Sequence, residues 1–370
     1  MKRGLIAIIL CLILAVPAAA RVQDGGWSAA DVTDLKRWLE AAPRDALPVV
    51  STETLDAAQA AGDPDQVNAE ARRLALQLAQ MHLLGGAGQA ERAGWHIVDG
   101  DAELALDTML DQAVANDMLD TFFALMRPRH AQYAALRAAY DTESDPDRRK
   151  AIARNMERWR WMPQSLGDDF VIVNIPQFEA QLWRDGEQFD SWRVIVGKAS
   201  TPTPAFDTII EGVILNPWWE IPASIVRESV GALIRRSPSL ARQRGYVWGN
   251  GRYRQRPGPN NALGQMKLIM PNRFSVYMHD TPNKQLFEEE VRAFSHGCIR
   301  TGDAIGYAAT LLEGVKSREE IDAIVASNAT TSVKLDRSIP VYIAYFTAVA
   351  GDAGEIEILL DIYNRDRNIR

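Results

Sequence analysis

The sequence predicts an α+β protein: an N-terminal all-α domain followed by a mostly-β domain that carries a helical and loop excursion. Three observations predict this. Up to about residue 158, apolar side chains recur at helical spacing between strong capping signals. From Phe170 onward the pattern changes to period two and the composition to β-branched and aromatic residues. The chain has 370 residues, which at roughly 150 per domain suits two domains, each able to bury its own core.

The first region reads as successive helices. Ser28 can cap a segment through Val32, Leu35, Trp38 and Leu39. Asp63-Pro64 is a helix start, with Asp as N-cap and Pro at the first helical position. The helix that follows carries Val67, Ala71, Leu74, Leu78, Met81 and Leu84 and stops at Gly85-Gly86. Gly85 to Gly88 has no strand before it and no Lys-Ser/Thr after it, so it reads as a helix-ending loop, not a phosphate loop. Further helices are predicted from Ala102 to Asn116, Met118 to Met126 and Asp145 to Arg158. The helical domain is placed at 27–150 and the mostly-β domain at 151–365.

In the second region Phe170 to Ile175 is a strand. Phe178 to Trp183 and Trp192 to Val196 form a hairpin around Asp185-Gly186. Strands also fit Thr208 to Leu215, Lys267 to Met270, Ser275 to His279, Ser332 to Leu335, Val341 to Ala348 and Glu355 to Ile362. Ser224 to Gly245 reads as helical, and Asn250 to Asn261 is rich in Gly, Pro, Asn and Arg. So long an excursion between strands suits a lid or substrate loop. A small helical patch is expected around Thr301 to Leu312.

With 47% hydrophobic and 24% charged residues the chain is ordinary for a globular protein, and its net charge of −7 calls for no nucleic-acid partner. Residues 1–20 read as a secretory signal peptide: Lys2 and Arg3, an apolar run from Leu5 to Val16, then Pro17-Ala18-Ala19-Ala20. The alternative, an uncleaved anchor helix, needs about 20 apolar residues. Removal of Lys2 and Arg3 takes the charge from −7 to −9. Of the two cysteines, Cys11 lies within this segment, which leaves Cys298 as one thiol in an oxidising compartment with no internal partner.

Two histidines fall near Cys298. Tyr277-Met278-His279-Asp280 precedes Ser295-His296-Gly297-Cys298-Ile299-Arg300, with fifteen residues between His279 and Ser295. A thiol is mostly protonated at neutral pH, and a nearby imidazole can take its proton and hold a thiolate–imidazolium pair. Asp280 or its carbonyl could orient His279 as the third group of such a relay. Gly297 permits a sharp turn, and the amides of this segment could face a developing oxyanion. Arg300 alternates onto the face of Cys298 and could hold a substrate carboxylate or a buried acid. Two other readings stand beside this one. Cys298 and the histidines are unrelated, or His279, His296 and Cys298 hold zinc, which would need a fourth ligand or water.

The segment from Ser295 to Arg300 with His279 upstream resembles the signature of the YkuD-type L,D-transpeptidase catalytic domain. Glu157-Arg158-Trp159-Arg160-Trp161, Asn216-Pro217-Trp218-Trp219 through Pro222, Gly258 to Gly264, His279-Asp280-Thr281-Pro282 and Asp361-Ile362-Tyr363 resemble the large periplasmic YcbB-like branch. The similarity covers roughly 150–365, and the helical region before it resembles that branch's scaffold domain. Residues 225–262 would be a capping subdomain. Only Tyr140 to Arg158 separates the two regions, too few residues for the peptidoglycan-binding module that branch often carries.

The resemblance implies that Cys298 is the nucleophile, attacking the amide between the diaminopimelyl residue and terminal D-Ala of a tetrapeptide stem. His279 would be the general base and then the acid. The main chain at His296, Gly297 and Cys298 would form the oxyanion hole. Tyr277, Trp219 and Asn261 would contact substrate, with a structural role equally open for Asn261 and Gly264, and Arg300 joins them on its strand position alone. It implies no metal or organic cofactor, a ping-pong 3→3 cross-linking reaction between donor and acceptor stems, and a periplasmic location. Cell-wall synthesis proteins are the expected partners of the helical domain. Two alternatives remain: the same site serving hydrolysis or lipoprotein attachment, and a non-catalytic scaffold that binds cell wall.

Overall fold

The computed structural model describes residues 26–351 and 353–369. The expected signal segment and Cys11 lie outside the described residues. Among those described, no helix is long and apolar enough to cross a membrane. The chain divides into two compact units, one of residues 26–167 with 346–369, the other of residues 168–345.

The first unit is helical: α1 (Ala29–Ala41), α2 (Glu53–Ala61), α3 (Pro64–Leu84), α4 (Leu106–Ala115), α5 (Leu119–Met126), α6 (Ala131–Thr142) and α7 (Pro146–Trp159). The capping chemistry lies where the sequence put it. Ser28 and Asp31 form a reciprocal capping box. Asp63 accepts from the Gln66 amide with Pro64 beside it, and Gly85, at φ +76°, ends α3. The heptad-like apolar positions of α1 and α3, including Leu35, Trp38, Leu74 and Leu78, meet in one core with Phe122 and Phe123 of α5. The expected helix from Ala102 begins instead with a 3-10 turn over Asp101–Glu103 and becomes α-helical at Leu106. The C-terminal segment packs on α7: Trp159 stacks on Phe346 at 4.5 Å, and Arg158 pairs with Asp366 at 2.7 Å. The strand expected over Glu355 to Ile362 is limited to Ile356–Ile358.

The second unit is β-rich. Its strands are β1 (Asp169–Asn174), β2 (Glu179–Arg184), β3 (Glu187–Gly197), β4 (Ala205–Leu215), β5 (Trp219–Glu220), β6 (Tyr246–Gly249), β7 (Arg252–Gln255), β8 (Met266–Ile269), β9 (Met278–His279), β10 (Ala293–Ser295), β11 (Ile299–Thr301) and β12 (Thr331–Ala344). Pairing runs β4-β12-β1-β2-β3-β11-β9-β8, and β8 also pairs with β4, so the path closes on itself. The β2–β3 hairpin turns at Asp185 and Gly186, both at positive φ, as the Asp-Gly signal requires. The two strands expected on either side of residue 337 are one strand, β12. Its register against β4 shifts between Lys334 and Ile339, where polar Asp336, Arg337 and Ser338 break the apolar alternation.

Two departures bear on the site. The strand expected from Ser275 shrinks to Met278–His279, because Asn272 Oδ1 accepts from the amides of Phe274 and Val276 and takes them out of the ladder. Ser224 to Gly245 is helical only in pieces, with a π turn at Val226–Val230 before α8 (Gly231–Arg236) and α9 (Pro238–Gln243). The Gly- and Pro-rich stretch after it contains β7, paired with β6 and β5 in a small separate sheet. Trp219, Ile221, Val230 and Leu263 are buried together beneath this excursion. Beyond β11 lie α10 (Ala304–Leu311) and α11 (Arg318–Ala326).

Candidate active site

Strand register builds the site. β9 runs parallel to β11 with His279 opposite Arg300, and antiparallel to β8 with His279 opposite Lys267. Paired residues present side chains to one face, and so do residues two apart along a strand. Lys267, His279 and Arg300 therefore form a row across three strands. Tyr277 and Cys298 form the next row, where the Ile299 amide donates to the Tyr277 carbonyl at 3.0 Å. All five line a cleft of about 1100 Å³ that also takes in Trp219 and the π turn of the capping excursion.

The loop that carries Cys298 is pinned from both sides. Gly297, at φ +112°, turns the chain where other residues are strained. Buried Thr203 donates to the Gly297 carbonyl at 2.9 Å. The Ser295 hydroxyl donates to the Cys298 carbonyl at 2.5 Å and accepts from the Gly297 amide at 3.0 Å. Of the three main-chain donors expected to face an oxyanion, Gly297 is thus already committed to Ser295. The amides of His296 and Cys298 have no acceptor among the described residues.

His279 is 6% exposed, and its Nδ1 lies 2.5 Å from the Asp280 carbonyl. A carbonyl only accepts, so Nδ1 carries the proton and Nε2 is the basic nitrogen. The orienting group at Asp280 is the main chain. Its carboxylate points elsewhere, accepting from the Gln265 amide at 2.8 Å and pairing with Lys284. Gly264, at φ +59°, lets that carboxylate sit where a Cβ would be 2.2 Å from Oδ2.

Electrostatics oppose a resting thiolate–imidazolium pair. Burial, with the Arg300 and Lys267 charges, pushes His279 down to about 3, against the pull of the Asp280 carbonyl. Burial pushes the Cys298 thiol above its ordinary value, opposed by hydrogen bonds from Tyr277 and by the charges of Lys267 and Arg300. Both shifts favour the uncharged forms of the thiol and the imidazole, and the hydrogen-bond partners of the thiol among the described residues are Tyr277 and Ser275, not His279. The thiol itself donates weakly to the Ser275 carbonyl at 3.9 Å. Tyr277 interacts with both Cys298 and the Trp219 indole, and Lys267 Nζ lies 4.0 Å from its ring centre.

Two further side chains make structural contacts. Asn261 is 1% exposed and its side chain is fully used: Nδ2 donates to the Pro217 and Arg256 carbonyls at 3.0 and 2.9 Å, and Oδ1 accepts from the Leu263 amide at 2.8 Å. It clips the ends of the capping excursion together and has no group left for substrate. The His296 side chain turns outward, with Nε2 3.0 Å from Glu228 Oε2 in the π turn, so it joins the capping excursion to the loop that carries Cys298. Among the described residues no group of three or more His, Cys, Asp or Glu side chains is arranged for a metal ion.

Sequence reading missed Lys267, Thr203, Ser295 and Glu228. Lys267 was visible as a lone cation between Met266 and Leu268 in an apolar strand. It also missed the charge of the capping excursion, where residues 223–260 hold eight arginines against one acid, Glu228.

The chain is similar to proteins already known. The family model of the YkuD L,D-transpeptidase catalytic domain matches residues 168–325. A curated relative from Haemophilus influenzae, named a putative L,D-transpeptidase, is 30% identical over an alignment of 279 positions that covers 69% of this chain and 56% of that relative's length. Among solved structures, an L,D-transpeptidase from Mycobacterium smegmatis matches at 13% identity over 48% of this chain and 58% of that one, with a TM-score of 0.27. L,D-transpeptidase 3 from Mycobacterium tuberculosis matches at 16% identity over 48% and 61%, with a TM-score of 0.26. Residues 168–325 are therefore a YkuD-family L,D-transpeptidase catalytic domain.

Proposed function

We propose that the protein is an exported, periplasmic peptidoglycan L,D-transpeptidase that works through an acyl-enzyme at Cys298 and forms 3→3 cross-links between stem peptides. The observation that carries this reading is the shared face of Cys298, His279, Tyr277 and Arg300 in one cleft, with the His279 tautomer fixed for proton acceptance at Nε2. His279 takes the thiol proton as Sγ bonds to the carbonyl of the diaminopimelyl residue. The oxyanion receives hydrogen bonds from the amides of His296 and Cys298. As the C–N bond breaks, the His279 proton passes to the departing D-Ala amine, leaving a thioester. The side-chain amine of a second stem then attacks, giving its proton to His279, which returns it to the departing thiol.

Shifts that favour the uncharged thiol and imidazole support concerted proton transfer during attack in place of a preformed thiolate. The arginines of the capping excursion support retention of carboxylate-bearing stems at the cleft. The N-terminal basic, apolar and small-residue pattern supports export.

The test is mass spectrometry of products from purified disaccharide-tetrapeptide, with the Cys298→Ala variant beside it. A dimer lighter by one D-Ala, absent with the variant, is expected. Tripeptide alone would replace cross-linking by hydrolysis, and turnover by Cys298→Ala would overturn the assignment.

A further inference from the structure

Lys267 and Arg300 flank His279 in one row, opposite it on β8 and on β11. Both are partly buried and both line the cleft. Among the described residues neither has a carboxylate within ion-pair distance. Glu220, the acid that lines the same cleft, is paired with Arg254 and acts on Lys267 only from beyond ion-pair distance. The ring of Tyr277 lies against Lys267 and supplies only a weak cation–π contact. Desolvating two cations without a counter-ion is costly unless a ligand provides the charge. Burial accordingly depresses the pKa of each.

We propose that Lys267 and Arg300 form a carboxylate subsite over His279, and that it holds the free C-terminal carboxylate of the residue that leaves from Cys298. The proposal rests on the acyl-transfer reading above for the identity of the ligand, though not for the existence of the subsite.

The spacing suits one residue. Arg300 is two positions along β11 from Cys298, about 7 Å, and each flanking cation lies about one strand spacing, roughly 5 Å, from His279. In a leaving C-terminal amino acid the carboxylate carbon lies within about 3.6 Å of the scissile carbonyl carbon. A substrate carbonyl at Cys298 therefore puts that carboxylate near His279, between the cations, with the departing nitrogen beside Nε2. A donor extended by one residue, or amidated at its end, brings a neutral group there and leaves both cations unpaired. The subsite thus selects the end of a chain and rejects its interior.

Two measurements test it. The first needs no turnover: second-order alkylation of Cys298 by anionic iodoacetate and neutral iodoacetamide at one pH, with glutathione as reference. The iodoacetate-to-iodoacetamide ratio is expected to exceed that of glutathione by about tenfold, as for a hydrogen-bonded charge pair. Lys267→Met should lower it toward the reference, while Lys267→Arg should keep most of it. A wild-type ratio equal to that of glutathione, or one unchanged in Lys267→Met, overturns the subsite.

The second compares disaccharide-tetrapeptide donors ending in a carboxylate or a carboxamide. The wild-type protein should prefer the carboxylate by at least about tenfold in kcat/KM, through KM, and Lys267→Met should erase the preference. Equal loss on both donors in Lys267→Met would overturn recognition in favour of a structural role. If neither donor reacts with the wild-type protein, the acyl-transfer reading fails while the alkylation ratio still decides the subsite.

Discussion

The imidazole of His279 is oriented by the main-chain carbonyl of its neighbour Asp280, at 2.5 Å from Nδ1, and not by a carboxylate side chain. A carbonyl fixes the tautomer but adds no negative charge, so an imidazolium at this position gains little stabilisation. Asp280→Asn should therefore keep kcat within about tenfold of wild type, unlike a side-chain carboxylate whose loss costs about 10⁴. The same change removes the Lys284 pair and weakens the bond to the Gln265 amide. Stability should fall by about 1 kcal/mol. Parallel kcat and urea-unfolding measurements check both. A kcat loss of about 10⁴ would transfer the orienting role to the side chain.

A second prediction concerns pH. Burial and two cations hold His279 down to about 3, so it is already neutral and competent as a base throughout the neutral range. Raising pH from 5 to 7 should deprotonate nothing at this site, and the acid limb of kcat/KM should lie below pH 5. Cys298 is raised by burial, so iodoacetamide alkylation should climb with a midpoint above the free-thiol value of about 8.5. Lys267→Met removes a charge that lowers the thiol value, which should move that midpoint higher still. An alkylation plateau near pH 6 would indicate a preformed thiolate–imidazolium pair.

The sequence displayed the parts of this site whose chemistry is local. His279, Gly297 and Cys298 stood out because the stretch from Ser295 to Arg300 with His279 upstream resembles a family signature, whereas the residues alone left two other readings open. The helix caps at Ser28 and Asp63 and the Asp185-Gly186 turn were legible because each satisfies the backbone within a few residues. What depends on pairing between distant segments was not. Lys267 joins the site only through its register opposite His279, and Thr203 reaches the loop that carries Cys298 from the far end of a connection. α2, α6 and α11 went unread for different reasons. Ser317 and Glu320 form a full capping box before α11, a signal present but overlooked. α6 is rich in alanine and buries chiefly Tyr133 and Leu136, too few apolar positions to mark a periodicity.

Asn261 gives a test of structure against binding. Its amide group satisfies carbonyls at Pro217 and Arg256, at the two ends of the capping excursion. Asn261→Ala leaves these without their donor, and burial makes the loss cost about 1–3 kcal/mol. Urea unfolding should register that loss. A variant with unchanged stability and a raised KM would restore Asn261 as a substrate contact.

The capping excursion carries eight arginines against Glu228 alone between residues 223 and 260, on a chain whose net charge is −7. Arg235 and Arg236, at the end of α8, are exposed and have no ion-pair partner among the described residues. Arg227 and Arg252 of this excursion line the cleft. Positive charge massed on an element that borders a cleft raises the local concentration of an anionic substrate, and the effect is screened over about 10 Å at 0.1 M salt. For carboxylate-bearing stems, kcat/KM should therefore fall as salt rises while kcat stays nearly constant. Arg235→Ser with Arg236→Ser should lower kcat/KM by about tenfold at low salt and leave it near wild type in 1 M salt, where the screening length is about 3 Å. Because both side chains are exposed, stability should change by less than about 0.5 kcal/mol. Steady-state kinetics across a salt series separates the possibilities. A loss that persists at high salt would mean that these arginines contact the stem directly instead of attracting it from a distance.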